Sequence, residues 1–168
     1  MGSFTASTKA HDAERSEGDM ESMLMGITKI WKGDIVVIKT DGYAYSSYTA
    51  GAAGDQFIGV ASETVDNRYI TNGVADSGAA SEGDREVAVW LEGIFEFDLP
   101  ASATIGTELG LTVYVEDGSV GAATPRMVTK TAPAAQPLIA GQIVELVGTQ
   151  TATTVCRVRI TPFSAVGA

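Results

Sequence analysis

The chain has 168 residues, 45% of them hydrophobic, and 21 acidic against 11 basic side chains give a formal net charge of −10. That length suits one domain, which buries roughly 70% of the surface its unfolded chain exposes. The shortage of Lys and Arg argues against nucleic acid as a direct partner, since phosphate binding is driven by cationic side chains; the negative charge instead favours solubility or a basic protein surface.

Residues 1–26 read as an extended N-terminal arm. Up to Glu21 the segment is polar, and Phe4 is its main large apolar residue, so it is expected to be mobile alone and ordered by a partner. Met20, Met23, Leu24, Met25 and Ile27 then form a soft apolar patch, which suits an entry into the core or an interface.

The body is expected over residues 27–168. Lys32-Gly33-Asp34 resembles an integrin-type tripeptide, but a turn entering the apolar strand Ile35–Ile38 is the simpler reading. Asp41-Gly42 after that strand signals a hairpin with a type I′ turn. Tyr43, Tyr45 and Tyr48 follow, then a strand over Phe57–Ala61. Residues 64–84 read as a long glycine-bearing loop.

Residues 84–100, DREVAVWLEGIFEFDLP, carry the strongest pattern. Val87, Val89, Leu91, Gly93, Phe95, Phe97 and Leu99 share one parity, and Glu86, Glu92, Glu96 and Asp98 lie on the other. Side chains alternate across a strand, so the spacing predicts one long strand laying an unbroken apolar row on a core, bent at Gly93. Trp90 and Ile94 interrupt the acidic face, which marks them as candidates for covering by another element or subunit.

Leu109, Leu111, Val113 and Val115 alternate before Asp117-Gly118, echoing the earlier strand and turn. Residues 119–137 read as a second long loop, with Pro125, Pro133 and Pro137 excluding a central strand. An apolar strand at Leu138–Gly141 follows. In the last strand, Thr154–Pro162, Cys156, Val158 and Ile160 face inward, and Arg157 and Arg159 form a basic outer face, which suits plain solvated surface and an anchor for an acidic partner equally.

Catalytic motifs are absent: no P-loop, GxGxxG, HExxH, CxxC or GxSxG occurs. Cys156 is the single cysteine and His11 the single histidine, so neither a disulfide nor a zinc set is available, and no cofactor or metal is expected. A triad using His11 would sit in the arm, without the preorganisation catalysis needs. Glu92, Glu96 and Asp98 share a strand face and are weighed as a glycosidase pair or a calcium site, against a solvated surface. A solvated or partner-facing strand surface is favoured, because no loop of Asp and Asn ligands accompanies them. No apolar run reaches the length of a membrane span, and the polar N-terminus is unlike a signal peptide, so synthesis in a cytosol is expected.

The order KGDIVVI, FIGVAS, EGDREVAVWLEGIFEF, ELGLTVYVEDG and LIAGQIVEL resembles the capsid cement, or decoration, proteins of tailed phages. The resemblance spans Lys32 to Ile160, about three-quarters of the chain. It implies a mainly β, compact β-barrel or β-tulip-like single domain. It also implies a non-enzymatic structural protein, made in the host cytoplasm, that binds the outside of the phage head in the virion. There it would bridge major capsid protein subunits and neighbouring copies of itself, as a trimer rather than a dimer, and stabilise the expanded shell. Neither nucleic acid nor membrane is a partner in this reading. The contact candidates are Phe4, Met20, Met23, Leu24, Met25, Trp90, Ile94, Arg157 and Arg159. The alternatives are a particle-displayed module binding carbohydrate or a receptor through Tyr43, Tyr45, Tyr48 and the loops, and an enzyme built on the three carboxylates.

Overall fold

Gly93 divides the longest expected strand in two. The computed structural model describes residues 19–46, 54–68, 80–103, 107–116, 127–133, 137–149, 152–160 and 164–165. Strand β7 (Glu86–Trp90) ends before Leu91, and β8 (Ile94–Ala103) begins after Gly93, whose φ of 137° lies where only glycine sits without strain. The two halves belong to different sheets. The break also switches parity. Val87 and Val89, with Leu91 beside them, pack into one apolar cluster, while Phe95, Phe97 and Leu99 pack into another. The expected unbroken row is therefore two rows on two cores.

The remaining strands run from two to 11 residues. They are β1 (Met20–Leu24), β2 (Lys29–Ile30), β3 (Ile35–Ile38), β4 (Ala44–Ser46), β5 (Gln56–Ala61) and β6 (Val65–Asp66) in the first half. After β8 come β9 (Thr112–Val115), β10 (Val128–Thr129), β11 (Ile139–Thr149), β12 (Ala152–Ile160) and β13 (Ser164–Ala165). The first sheet runs β1-β7-β5-β3-β4, with β13 also paired to β5. The second runs β10-β9-β11-β12-β8, and β2 pairs with β6 as a separate ribbon. Every named strand pair is antiparallel. No helix occurs among the described residues, and the fold is mainly β.

Both sheets curl until their outer strands meet. Met25, just past β1, forms a single parallel bridge with Ala44 of β4. Asp98 of β8 does the same with Met127, the residue before β10. The result is a barrel-like body in which the first sheet is covered on both faces. Its inner face sends Ile35, Val37, Phe57 and Val60 against Phe95, Phe97, Val113, Ile143 and Val158 of the second sheet. Its outer face sends Val36, Ile58, Ala61, Val87 and Val89 against Met25 and Ile30, with Val65 alongside. A strand buried on both faces needs apolar residues at every position, which explains the continuous IVVI run of β3.

A bulge distributes β5 between the two cores. Val36 is opposite Gly59 and Val37 opposite Phe57, leaving Ile58 as the extra residue. Phe57 and Val60 thereby face the inner cluster, and Ile58 and Ala61 the outer one. Gly59 lets β5 approach β7 closely, because a Cβ there would collide with the Trp90 carbonyl oxygen.

Four expectations change. The body starts before residue 27, since Met20–Leu24 is a strand of the first sheet and Met25 is fully buried. The β3–β4 hairpin has a three-residue loop: the Gly42 N–H donates to the Lys39 carbonyl (2.9 Å), the Lys39 N–H donates to the Tyr43 carbonyl (3.1 Å), and Gly42 has φ 85°. That is a type I turn followed by a left-handed glycine, not a two-residue type I′ turn. The second expected loop contains β10, an end strand with Val128 and Thr129 buried. The first contains β6 and the buried Asn67, whose backbone N–H donates to the Thr28 carbonyl (2.9 Å). The Asn67 side-chain amide nitrogen donates to the carbonyls of Gly26 (3.0 Å), Ser81 (3.1 Å) and Met25 (3.3 Å). The Asp117-Gly118 turn lies outside the described residues.

Gly59→Ala is expected to lower stability by about 1–3 kcal/mol, the usual cost of forcing a group into filled space. Guanidinium denaturation reads this as a lower midpoint at unchanged slope.

Candidate functional site

The methionine-rich patch divides by strand parity. Met23 packs against the outer cluster and Met25 is wholly inside it. Met20 and Leu24, on the other parity, are 52% and 48% exposed, and Ile27 just beyond is 51% exposed. Met20 and Leu24 thus share one face of β1, and Ile27 is exposed beyond its end. The Leu91 N–H donates to the Asp19 carbonyl and the Met25 N–H to the Arg85 carbonyl, so the odd-numbered residues of β1 direct their backbone groups at β7. Those of Met20 and Ser22 are directed away from it. At the far end the Gly26 N–H donates to Ala44 (3.1 Å), so β4 closes that part of the edge.

Phe4 lies outside the described residues. Trp90 stands opposite Met20 across the β1–β7 ladder, but it is half-buried against the inner core, so much of its surface is already covered within the chain. Ile94 is half-buried on β8, opposite Arg159.

The basic face of β12 is partly neutralised by its neighbours. Arg157 stands opposite Glu96 of β8 on one side and Glu145 of β11 on the other. Its Nη1 donates to Glu145 Oε2 (2.9 Å), and its Nε is 3.9 Å from Glu96 Oε2. Arg159 is exposed, opposite Gln142. Arg157 thus sits in an acid–base–acid row across three strands, while Arg159 is the residue of the pair that presents itself to solvent.

The three carboxylates are spread by the crossover. Glu92 is exposed in the β7–β8 connection, Glu96 faces Arg157, and Asp98 lies at the bridge to Met127. Among the described residues no group of three or more His, Cys, Asp or Glu is arranged to hold a metal ion. Burial, followed by the charge of Asp98, pushes the Cys156 thiol up to about 12, so it stays protonated and packs as a small apolar group. Lys32-Gly33 is the tip of a turn closed on both sides: the Trp31 N–H donates to Asp34 Oδ2 (3.0 Å), and the Asp34 N–H donates to the Trp31 carbonyl (3.0 Å). On the adjoining ribbon, Arg68 forks onto Asp66 (2.9 and 2.8 Å), and that hydrogen bonding holds the Asp66 carboxyl below its ordinary range. Lys29 Nζ lies over the Trp31 ring at 3.7 Å.

Of the three tyrosines, Tyr48 lies outside the described residues. Tyr43 lies beside Gly83 and Tyr45 beside Gly26, where a Cβ would collide with the Tyr45 ring. The Tyr45 hydroxyl reaches Asp41 Oδ2 (2.9 Å) and Glu82 Oε1 (3.3 Å), and Lys39 Nζ stands 4.5 Å over the ring. Desolvation first, and the two carboxylates next, raise the Tyr45 phenol well above its ordinary value.

A second exposed apolar group escaped the sequence pattern. Leu109 and Leu111 alternate with Val113 and Val115, but only the valines are buried, and Leu109, Leu111 and Val144 are 50%, 40% and 37% exposed. Strand β9 begins only at Thr112, so the leucines precede the core-facing ladder. No protein-family model matches the chain, and a search of curated proteins finds no significant similarity.

Two outcomes follow from these environments. A raised phenol favours the folded state while it stays neutral, so its contribution is complete below the unfolded value of about 10 and is lost as pH rises through the folded value. Stability profiles of the protein and of Tyr45→Phe should therefore diverge below that value and converge above it. Cys156 should resist a water-soluble thiol reagent in the native protein and react fully in denaturant, which absorbance of the released chromophore measures.

Proposed function

We propose that this chain is a capsid decoration protein of a tailed phage, binding the outside of the assembled head, bridging major capsid subunits and stabilising the expanded shell. The observation that carries the reading is the distribution of the resembling motifs over the body. KGDIVVI supplies the turn and β3, FIGVAS supplies β5, and EGDREVAVWLEGIFEF supplies β7, the crossover and β8. ELGLTVYVEDG and LIAGQIVEL supply β9 and β11. The motifs thus account for central strands of both sheets. Cementing needs no reaction; it needs a stiff body and contact surfaces repeated over many copies. The exposure of Met20, Leu24 and Ile27, which follow the first 18 residues in the sequence, supports contact with shell or neighbouring copies, with Arg159 as a polar candidate.

A ligand that binds one shell state stabilises that state by mass action. Mixed with undecorated expanded capsids of its phage, the protein should co-sediment and raise the temperature at which the shells open. Absence of co-sedimentation overturns the reading. Deleting Met1–Gly18, which leaves β1 whole, should weaken binding; unchanged binding would remove the arm from the contact.

A further inference from the structure

We propose that β1 is a self-pairing edge, through which two copies of this chain join antiparallel about Ser22 and run their first sheets together. Strand β1 ends the order β1-β7-β5-β3-β4, and its ladder with β7 is unbroken from Met20 to Leu24. The odd residues direct their backbone groups at β7, so those of Met20 and Ser22 point outward. Among the described residues no strand pairs with that side. Beyond Leu24 the edge is taken, since the Gly26 N–H donates to the Ala44 carbonyl of β4. Proteins usually protect such an edge with proline, lysine, a bulge or a covering segment. The five residues MESML carry no proline, lysine or bulge, and Met20 and Leu24 are exposed.

Charge and side-chain pattern select a second copy as the occupant and fix its register. Bonds form only between outward-pointing residues, so even positions face even positions. Centring the pair on Glu21 sets that carboxylate directly opposite its own counterpart, which is destabilising. Centring it on Met23 sets Met20 opposite Gly26 of the second copy, where β4 already sits. Centring it on Ser22 sets Met20 opposite Leu24 of the second copy, and Glu21 opposite Met23. The two serines then exchange a mutual pair of backbone bonds, and each exposed apolar side chain covers the other. A five-residue contact is weak, and the net charge of −10 on each copy opposes it. It therefore forms at high local concentration. An isologous contact closes at two copies, whereas the resemblance implied a trimer. The pairing rests on β1 alone and is independent of capsid binding.

Sedimentation velocity of the full chain tests this over a concentration series at about 0.15 M salt, where the screening length is about 8 Å. The average mass should rise from 17.4 kDa toward twice that value. Ser22→Pro removes an outward N–H and no bond to β7, so it should hold the mass at the monomer value with a thermal midpoint close to the parent's. Under a mild oxidant Ser22→Cys should cross-link to its counterpart, because a bonded pair has a Cα separation of about 5.5 Å. Glu21→Cys, on the diagonal at about 7–8 Å, should not. Cys156 is buried and stays out of this chemistry. A mass that stays at the monomer, or passes to three copies, overturns the proposal. So does association that folded Ser22→Pro leaves unchanged, or a Glu21→Cys protein that cross-links as fast as Ser22→Cys.

Discussion

The structure depends on burying one sheet on both faces. Strands β3, β5 and β7 carry apolar side chains upward and downward, and neither row tolerates water. The second sheet covers one face, and Met25 with the β2–β6 ribbon covers the other. A single chain supplies these covers only by changing which parity points where. Two local devices do so: the bulge at Ile58 within β5, and the left-handed glycine at residue 93 between β7 and β8. Each costs a ladder bond or strand continuity, and each lets one segment serve two cores. Trp90 records the same logic, lying on the opposite parity from Val89 and so packing into the inner core rather than the outer.

The sequence therefore disclosed burial more readily than destination. Alternation of Val87 and Val89, and of Phe95, Phe97 and Leu99, correctly marks buried positions. It carries no sign of which cluster receives each set, because periodicity reports that a side chain is apolar and not what it meets. The glycine at 93 was legible as an irregularity, but the switch of sheets depends on pairing partners far along the chain. Strand β1 was hidden by the polar residues before it, and its true signal was the odd-parity pair Met23 and Met25. The inward set of Cys156, Val158 and Ile160 was legible from β12 alone. The carboxylates flanking Arg157 were not, because registers with β8 and β11 decide that row.

Charge is arranged as well as abundant. The acidic excess is interrupted by local knots of opposite charge: Glu96–Arg157–Glu145 across the second sheet, Lys130 with Glu108 (3.0 Å), and Asp66 between Lys29 and Arg68. Exposed pairs of this kind add little stability individually. Their larger effect is to fix side-chain positions, so the strands that carry them present a set pattern of charge.

Asn67 ties the chain where a long excursion leaves and returns. Its amide nitrogen holds the Ser81 carbonyl on the returning side and the carbonyls of Met25 and Gly26 beneath, while its own N–H is held by Thr28. The stem is thus closed by the body itself, independently of how many residues run between its two sides. For a flexible connection, doubling its length adds only about 0.6 kcal/mol of closure entropy. The body can therefore carry inserts of very different size at this point without re-registering a strand. In evolutionary terms, a change of length between Arg68 and Ala80 leaves in place the hydrogen bonds of Asn67 that close the stem.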